Sequence, residues 1–144
     1  MKESFKIVTR KHEKGSGCDL ELFSKESANK IREFHKSFPI YKPTPLAHLS
    51  ETAKYLGLKD AYVKDESWRF GLNAFKVLGG SYAIGNYMAG RLGKDISEVD
   101  YQALISDDTR KELGDITFVT ATDGNHGRGV AWTAKQFKQK AVVY

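Results

Sequence analysis

The sequence predicts an α/β fold in which helices flank a parallel β-sheet. The main observation is a β-α-β pattern near the C-terminus: a β-branched apolar run at residues 116–120, a glycine-rich segment, a helical pattern that ends at Phe137, and a second apolar run at residues 141–144. Strands joined through a helix pair in parallel. A strand at this position normally leads into another helix, so we expect the fold to be truncated here.

The composition is that of a globular domain with a core. Apolar residues make up 40% and aromatic residues 12% of the 144 residues, which is sufficient for one core at this length. The formal net charge of +5 is spread along the chain, without a basic stripe that alternates with aromatics. A nucleic-acid surface is therefore not predicted.

Cysteine content and hydropathy bear on the compartment. Cys18 is the single cysteine, so we expect neither an internal disulfide nor a cysteine metal cluster. The chain has no apolar run long enough to cross a bilayer, and its first residues lack the apolar centre of a signal peptide. We therefore predict a cytoplasmic protein with no membrane partner and no metal.

Weak strand patterns precede the first helical pattern. The residues at the expected edge-strand positions are Phe5, Ile7, Leu20 and Leu22. A helix follows, with Ser24 as its N-cap and Pro39 beyond its end. The buried face of this helix is predicted to comprise Ala28, Ile31, Phe34 and Phe38. The prolines within residues 39–45 predict an extended stretch.

A second helix and a strand are predicted next. Ser50 is the expected N-cap of this helix, and Gly57 is placed to end it. The apolar stripe of the helix comprises Leu49, Ala53 and Leu56. Residues 61–64 are expected to form a short strand.

The segment at residues 89–115 is polar and predicts one or two short helices. Val99 or Asp100 is expected to start the first of them, and Gly114 to end the last. These helices connect the N-terminal elements to the β-α-β pattern.

Lys76 lies where another helix is predicted to begin. Asn73 is the expected N-cap, which places Ala74, Phe75 and Lys76 in the first turn of a helix that runs to about Met88. The helix dipole disfavours a cation at this end by a few tenths to about 1 kcal/mol. Only a neutral amine attacks a carbonyl, so this position suits a nucleophilic lysine, although an ordinary surface lysine is the commoner explanation.

The glycine segment, residues 121–127, is expected to form the turn from strand to helix. Unpaired amides at the start of a helix stabilise an anion, together with the helix dipole. The glycines that would admit a ligand are Gly124, Gly127 and Gly129, and the polar side chains are those of Asp123, Asn125 and His126. A tight turn without a ligand is the alternative, and the glycine order does not match the dinucleotide-binding pattern.

Three strings together resemble a known family. Lys-Asp-Glu at residues 64–66, Asn-Ala-Phe-Lys at 73–76 and Thr-Asp-Gly-Asn-His-Gly at 122–127 resemble the signature of fold-type II pyridoxal-phosphate enzymes, the tryptophan synthase β and threonine dehydratase group. Pro-Thr-Pro-Leu at 43–46 resembles an N-terminal element of that group. The longer strings KDESWRFGLNAFKVLGGSYA and DGNHGRGVAW are most similar to the diaminopropionate ammonia-lyase branch.

The resemblance implies roles for the residues of these strings. Lys76 would hold pyridoxal 5'-phosphate as an internal aldimine, Phe75 would pack on the cofactor ring, and Asn125 would donate to its phenolic oxygen. Asp123 would act as general base for the Cα proton or would hold a substrate ammonium. The residues that would bind the substrate carboxylate, through their backbone amides, are Thr122, Asp123, Gly124, Asn125, His126 and Gly127.

The implied reaction is α,β-elimination of 2,3-diaminopropionate to pyruvate and ammonia, in a homodimer. Residues 1–88 would belong to the large cofactor domain, and residues 89–144 would start a smaller β-α-β domain. The remainder of the family fold, with its phosphate-binding glycine loop, is absent, so we expect the 144-residue chain alone to be inactive. The alternatives are a serine or threonine dehydratase of the same fold, an anion-binding module that uses residues 124–129, and an inactive truncated fragment or interaction protein.

Overall fold

The computed structural model describes residues 20–122 and 124–144. The elements in chain order are a 3-10 helix at Leu20–Phe23, α1 at Lys25–Lys36, β1 at Leu46–His48, α2 at Ser50–Leu56, β2 at Tyr62–Lys64, a kinked 3-10 segment at Glu66–Gly71, α3 at Lys76–Arg91, a 3-10 helix at Ile96–Glu98, α4 at Tyr101–Leu104, α5 at Asp107–Leu113, β3 at Thr117–Thr120, α6 at Asn125–Gln136 and β4 at Lys140–Val143. Among these residues, no helix is long and apolar enough to cross a membrane.

The β-α-β unit expected near the C-terminus is confirmed. β3 and β4 pair in parallel, with Thr117 opposite Lys140 and Thr120 opposite Val143. Helix α6 connects them and packs against both strands. Within the described part of the chain, β3 and β4 pair only with each other, so the outer edge of each strand has no partner strand.

A second, antiparallel pair of strands lies near the N-terminus. β1 pairs with β2 in the register that sets Leu46 opposite Lys64 and His48 opposite Tyr62. The strand expected at residues 61–64 is confirmed to within one residue, but β1 was not foreseen. Proline has no amide donor, so regular pairing starts only after Pro45, whose carbonyl accepts a hydrogen bond from the amide of Asp65 at 2.9 Å.

The core lies around α3, which packs against α1 and α6. The residues of the core are Phe34, Phe38, Phe70, Val77, Ile84, Met88, Ala89, Ile96, Val99, Leu104, Leu113, Val130 and Phe137. On the α1 side, the ring of Phe34 lies so close to Gly85 that a Cβ atom there would be 2.4 Å from Phe34 Cζ. Helices α1 and α3 therefore meet through a large side chain seated against a glycine.

An aromatic stack connects three parts of the core. The ring of Phe70 is nearly parallel to that of Trp132 in α6, with centroids 5.0 Å apart and planes at 12°. Phe38, two residues after the end of α1, packs against the ring of Phe70, with centroids 5.6 Å apart. Such contacts add about 0.5–1.5 kcal/mol per pair beyond the burial of apolar area. The segment that precedes α3 is thus fixed to α6 and to the end of α1.

Several predicted helix ends are confirmed. Ser24 caps α1, since its hydroxyl accepts from the amide of Ser27 at 3.0 Å, and Asp100 caps α4 by accepting from the amide of Ala103 at 2.7 Å. Gly57 and Gly114 are the residues at which α2 and α5 end.

Two predicted N-caps are wrong. Ser50 is the first residue of α2, and Leu49 occupies the cap position without a side-chain hydrogen bond. Asn73 has a left-handed backbone with φ of 57°, and α3 begins only at Lys76, with Phe75 at the cap position. The helix then runs to Arg91, one turn beyond Met88.

The burial predictions are correct in part. Of the face expected on α1, Phe34 and Phe38 are buried, Ile31 is half-buried and Ala28 is exposed. In α2 only Ala53 is buried, and Leu56 is 58% exposed within the described part of the chain. The expected strand at Leu20 and Leu22 is a 3-10 helix instead, and the strand positions Phe5 and Ile7 lie outside the described residues.

Candidate active site

Lys76 is the first residue of α3 and is exposed. The backbone that leads to it contains two left-handed residues, since Phe70 and Asn73 have φ values of 50° and 57°. Asparagine adopts this region readily, whereas phenylalanine rarely does; at Phe70 it costs on the order of 1–3 kcal/mol, and strain of this kind clusters at functional sites. The prediction that Lys76 lies at a helix start is confirmed, but the chain reaches it through a left-handed turn and not through an Asn73 cap, and the role of Lys76 as a nucleophile stays a prediction.

A group of hydrogen-bonded residues, here called the Arg69 cluster, lies at the start of this strained segment. The cluster consists of Arg69, Glu66, Thr44 and the carbonyl of Lys42. The guanidinium of Arg69 donates to both carboxylate oxygens of Glu66, from Nε at 2.8 Å and from the second terminal nitrogen at 2.9 Å. Its terminal nitrogens also donate to Thr44 Oγ1 at 3.2 Å and to the carbonyl of Lys42 at 3.3 Å.

Glu66 completes the cluster from the carboxylate side. It accepts a hydrogen bond of 2.5 Å from the hydroxyl of Thr44, and the carbonyl of Thr44 accepts another from the ammonium of Lys64. The side chains of Arg69 and Glu66 are only 7% and 20% exposed. A charge pair this far from water holds its shape only while both partners are present, because a lone buried charge is strongly unfavourable.

The charges of the pair are mutually stabilised. Hydrogen bonding from Arg69 lowers the pKa of the Glu66 carboxyl below its ordinary value, against the effect of burial. The same hydrogen bonds raise the pKa of Arg69. The guanidinium also lies over the Tyr41 ring, 5.7 Å from its centroid. Arg69 is therefore a charged, fully coordinated residue of the interior.

The glycine segment forms the turn from β3 to α6, but the turn is shorter than expected. Helix α6 already begins at Asn125, so residues 125–127 belong to its first turn. The hydroxyl oxygen of Thr122 accepts from the amides of Gly124 at 3.1 Å and Gly127 at 3.0 Å, and the amide of Thr122 donates to the carbonyl of Tyr144 at 3.1 Å. Thr122 thus caps α6 from outside the usual cap position.

This capping decides which amides of the segment are open to a ligand. Those of Thr122, Gly124 and Gly127 already have acceptors. Those of Asn125 and His126 have none within residues 20–122 and 124–144. Asn125 and His126 are also exposed. Asp123 lies outside the described residues, so its expected role as general base stays a prediction.

Glycine is required at two positions of this region. A Cβ atom on Gly127 would stand 2.2 Å from the Cγ2 atom of Thr122, so the cap and the helix could not meet with any other residue there. A Cβ atom on Gly129 would stand 3.0 Å from the Cα atom of Val77. The second contact is between backbones, because α6 approaches α3 there without a side chain between them.

The Val77 contact brings the two parts of the site together. Val77 follows Lys76 directly, and Gly129 lies one turn after Asn125. The first turn of α3 thus packs against the second turn of α6, and the start of each helix carries the positive end of a helix dipole. Pyridoxal phosphate would need an accessible amine for its aldehyde and a donor for its phenolic oxygen; Lys76 and Asn125, both exposed, carry such groups, and these two roles stay predictions.

An open cavity of about 530 Å³ lies between the glycine segment, the start of α6 and the end of β4. Its lining residues are Thr122, Gly124, Gly127, Arg128, Ala131, Val143 and Tyr144. Sequence reasoning singled out the glycines but not Arg128 or Tyr144, whose proximity depends on the parallel pairing of β3 with β4. The same reasoning missed Thr44, Glu66 and Arg69 as a cluster, although it quoted the strings that contain them.

Comparison with known proteins identifies this arrangement. A family model described as pyridoxal-phosphate dependent enzyme matches residues 38–144. The chain belongs to this family. The match contains the Arg69 cluster, Lys76 and the glycine segment, and it confirms the fold class implied by the resemblance and the dependence of the family on pyridoxal phosphate.

Relatives within the family are named diaminopropionate ammonia-lyases. The chain is 49% identical over 140 residues to that of Salmonella typhimurium, which covers 97% of the chain and 35% of the relative. It is 44% identical over 142 residues to that of Escherichia coli strain K12, which covers 98% of the chain and 34% of the relative. The chain therefore spans about a third of the length of these relatives.

Solved structures of the Escherichia coli diaminopropionate ammonia lyase are also similar. The apo form superposes with a TM-score of 0.78 at 48% identity, over 85% of this chain and 32% of that one. The complex with D-serine gives a TM-score of 0.79 at 48% identity, over 85% and 30%. The complex with an aminoacrylate-PLP azomethine reaction intermediate gives 0.75 at 46% identity, over 85% and 29%.

Proposed function

We propose that the chain is the N-terminal part of a pyridoxal-phosphate-dependent ammonia-lyase that converts 2,3-diaminopropionate to pyruvate and ammonia. The observation that carries the proposal is the meeting of α3 and α6 at Val77 and Gly129: Val77 follows Lys76 directly, and Gly129 lies one turn after the start of α6, where the amides of Asn125 and His126 have no acceptor among the described residues. The names of the relatives support the substrate. When bound, pyridoxal phosphate supplies the electron sink that stabilises a carbanion at Cα.

Lys76 would hold the cofactor covalently through its amine. Its exposure at the first residue of α3 gives a ligand access to the amine, and the strained approach from Phe70 fixes where α3 begins. The side chain of Asn125 would donate to the phenolic oxygen, and the exposed ring of Phe75, next to Lys76, would pack on the cofactor. These roles are those expected from the sequence.

The substrate carboxylate would be bound by the amides of Asn125 and His126. Both are at the N-terminus of α6, where the dipole favours an anion, and both lack an acceptor among the described residues. Thr122, Gly124 and Gly127, the other described residues expected to bind the carboxylate, would support these two amides, since Thr122 holds the turn in shape. Of the residues expected to bind the carboxylate, Asn125 and His126 would thus contact it, and Thr122, Gly124 and Gly127 would support the turn.

Asp123 would take the proton from Cα or hold the substrate ammonium. The proposal rests on its place in the sequence between Thr122 and Gly124, in a segment that the substrate must approach. Replacement Asp123→Asn should lower turnover by about two orders of magnitude or more, the usual effect of a lost general base, with little change in melting temperature. Unchanged turnover would remove Asp123 from the mechanism.

The remaining parts of the proposal concern the whole protein. Since the chain spans 35% of the Salmonella relative, we propose that activity requires the other parts of that fold, including a phosphate-binding loop, and that the 144-residue chain alone is inactive. The boundary between the large cofactor domain and the smaller β-α-β domain, placed after residue 88, is a proposal, as are the homodimer and the cytoplasmic location.

Covalent trapping tests the cofactor role. The protein is incubated with pyridoxal phosphate, reduced with borohydride and digested, and the labelled peptide is mapped by mass spectrometry. We expect the label on Lys76, and Lys76→Arg as control should abolish it. A label on Lys64, which instead donates to the Thr44 carbonyl, would overturn the assignment.

A substrate panel tests the reaction class in a form that contains the full family fold. Pyruvate release should be faster from 2,3-diaminopropionate than from serine or threonine. A preference for serine would favour the dehydratase alternative, for which the D-serine complex of the Escherichia coli structure is the specific observation.

A further inference from the structure

We infer that Arg69 is a positioning residue for Lys76, an inference that rests on the proposed cofactor role of that lysine. Arg69 does not itself reach the cofactor amine; it acts through the short segment between them. The observations are the coordination of its guanidinium, the strained backbone that follows it, and the burial of Phe70.

The guanidinium joins three parts of the chain. Its donors reach Glu66 at the exit of β2, and Thr44 and the carbonyl of Lys42 in the extended stretch before β1. These hydrogen bonds leave few degrees of freedom for the Arg69 backbone. The cluster therefore fixes the point from which the chain departs towards α3.

Aromatic packing of Phe70, the residue after Arg69, also fixes the start of the segment that leads to α3. Phe70 has a left-handed backbone that directs its ring into the stack with Trp132 at 5.0 Å and Phe38 at 5.6 Å. Asn73 is left-handed as well, and Ala74 is buried. We therefore expect the backbone of the five residues between Phe70 and Lys76 to keep a single conformation as long as Arg69 and the Phe70 ring hold its start in place.

Arginine is needed at this position because of its geometry. A guanidinium donates two parallel hydrogen bonds to one carboxylate and still has donors for Thr44 and Lys42, whereas an ammonium is a point charge on a flexible stem. Lysine at position 69 would keep the charge beside Glu66 but not the planar pairing. The substitution Arg69→Lys therefore tests positioning without leaving Glu66 uncompensated.

The experiment compares two variants with one control. Arg69→Lys loses the planar pairing, and Thr44→Val removes the hydroxyl that bonds to both Glu66 and Arg69. Leu113→Ala is the control, since it removes a buried core side chain at the end of α5, outside both the Arg69 cluster and the aromatic stack, and so lowers stability. All proteins are assayed well below their melting temperatures, so that each is folded.

The first measurement is the rate at which pyridoxal phosphate labels Lys76, fixed by borohydride and mapped by mass. We expect Arg69→Lys to lower this rate by about tenfold or more, the size of effect that a small misplacement of a reacting group produces. Thr44→Val should lower it less, and Leu113→Ala should leave it unchanged. Equal rates in Arg69→Lys and the parent protein, or an equal fall in Leu113→Ala, would overturn the inference.

The second measurement does not depend on the cofactor. Hydrogen exchange is followed at the amides of Leu72, which donates to the Arg69 carbonyl at 2.9 Å, and Leu78, which donates to the Phe75 carbonyl at 2.9 Å. Exchange at both should rise by about tenfold in Arg69→Lys and stay unchanged near the end of α6. Unchanged exchange at Leu72 and Leu78 overturns the positioning role, whereas an unlabelled Lys76 in the parent protein overturns only the proposed cofactor role.

Discussion

The approach to Lys76 and the turn at the glycine segment are held in place by different means. On the lysine side, charged side chains hold the segment: Arg69 is buried, Glu66 is half-buried, and the two are paired with each other and both bonded to Thr44. On the glycine side, the hydroxyl of Thr122 and the pairing of β3 with β4 hold the turn, and the amides of Asn125 and His126 have no acceptor among the described residues. A cofactor lysine has to project from one fixed point, whereas a carboxylate site has to keep its donors free for the ligand.

The largest expected effect is on the lysine side. Glu66→Gln leaves the Arg69 guanidinium buried without a counter-charge, and we expect the free energy of unfolding to fall by about 3 kcal/mol. Glu33→Gln is the control, because Glu33 pairs with Lys36 at the surface and should contribute less than about 1 kcal/mol. Urea denaturation of both variants checks this, and similar losses in the two would refute the contrast between buried and exposed pairs.

A smaller effect is expected where the two regions meet. Gly129→Ala sets a Cβ atom 3.0 Å from the Val77 backbone, so α3 and α6 must move apart at a cost of about 1–3 kcal/mol. Gly79→Ala is the matched control on α3, with no atom within 4 Å of the new Cβ. It should stabilise the helix by up to about 1 kcal/mol. Thermal melts give both values, and equal destabilisation by Gly79→Ala would refute the claim that the close contact with Val77 is what disfavours alanine at position 129.

The turn of the glycine segment should be less sensitive. Thr122→Val keeps the shape but removes the oxygen that accepts from the amides of Gly124 and Gly127, and we expect a loss of about 0.5–2 kcal/mol. Thr122→Ser keeps the acceptor and should lose less. If serine and valine cost the same, packing of the Thr122 methyl group and not capping would be the main contribution.

The smallest expected effect is a pH dependence that belongs to neither region. His35 is 3% exposed, its Nε2 atom lies 2.9 Å from Ser81 Oγ, and burial lowers the pKa of the imidazole below its ordinary value. The unfolded chain takes up a proton below about pH 6.5 while the folded chain does not, so stability is full above that pH and falls below it, by at most about 1.4 kcal/mol per pH unit. Denaturation midpoints between pH 7.5 and 5.5 measure this slope, and His35→Gln should reduce it. An equal slope in His35→Gln would assign the effect to other groups.

The parts of the fold that the sequence predicts correctly are set by local chemistry. The β-α-β unit follows from a change of hydrophobic period around the glycine segment, and Asp100 and Gly114 mark helix ends through their own hydrogen bonding and backbone freedom. The position of Lys76 at a helix start belongs to the same class. Each of these features depends on residues within a few positions of one another.

The errors arise where distant residues decide the local structure. Asn73 has the chemistry of an N-cap, but the stack of Phe70 on Trp132 sends the chain through a left-handed turn, and α3 starts three residues later. Leu56 has the spacing of a core residue, yet it is more than half exposed among the described residues. For Arg69 the sequence makes no prediction, because its burial depends on the convergence of Glu66 with Thr44 from a distant part of the chain.

The contact between Phe34 and Gly85 makes the identities of these two residues depend on each other. A methyl group at position 85 would overlap the Phe34 ring, with 2.4 Å to its Cζ atom, so alanine there is compatible only with a smaller residue at position 34. Phe34→Leu alone leaves a void, and Gly85→Ala alone creates a steric overlap. In the double variant the new methyl group at position 85 would occupy the space that the Phe34 ring leaves. We therefore expect positions 34 and 85 to change together in evolution, because a protein with either single replacement should be less stable than the parent protein or the protein with both.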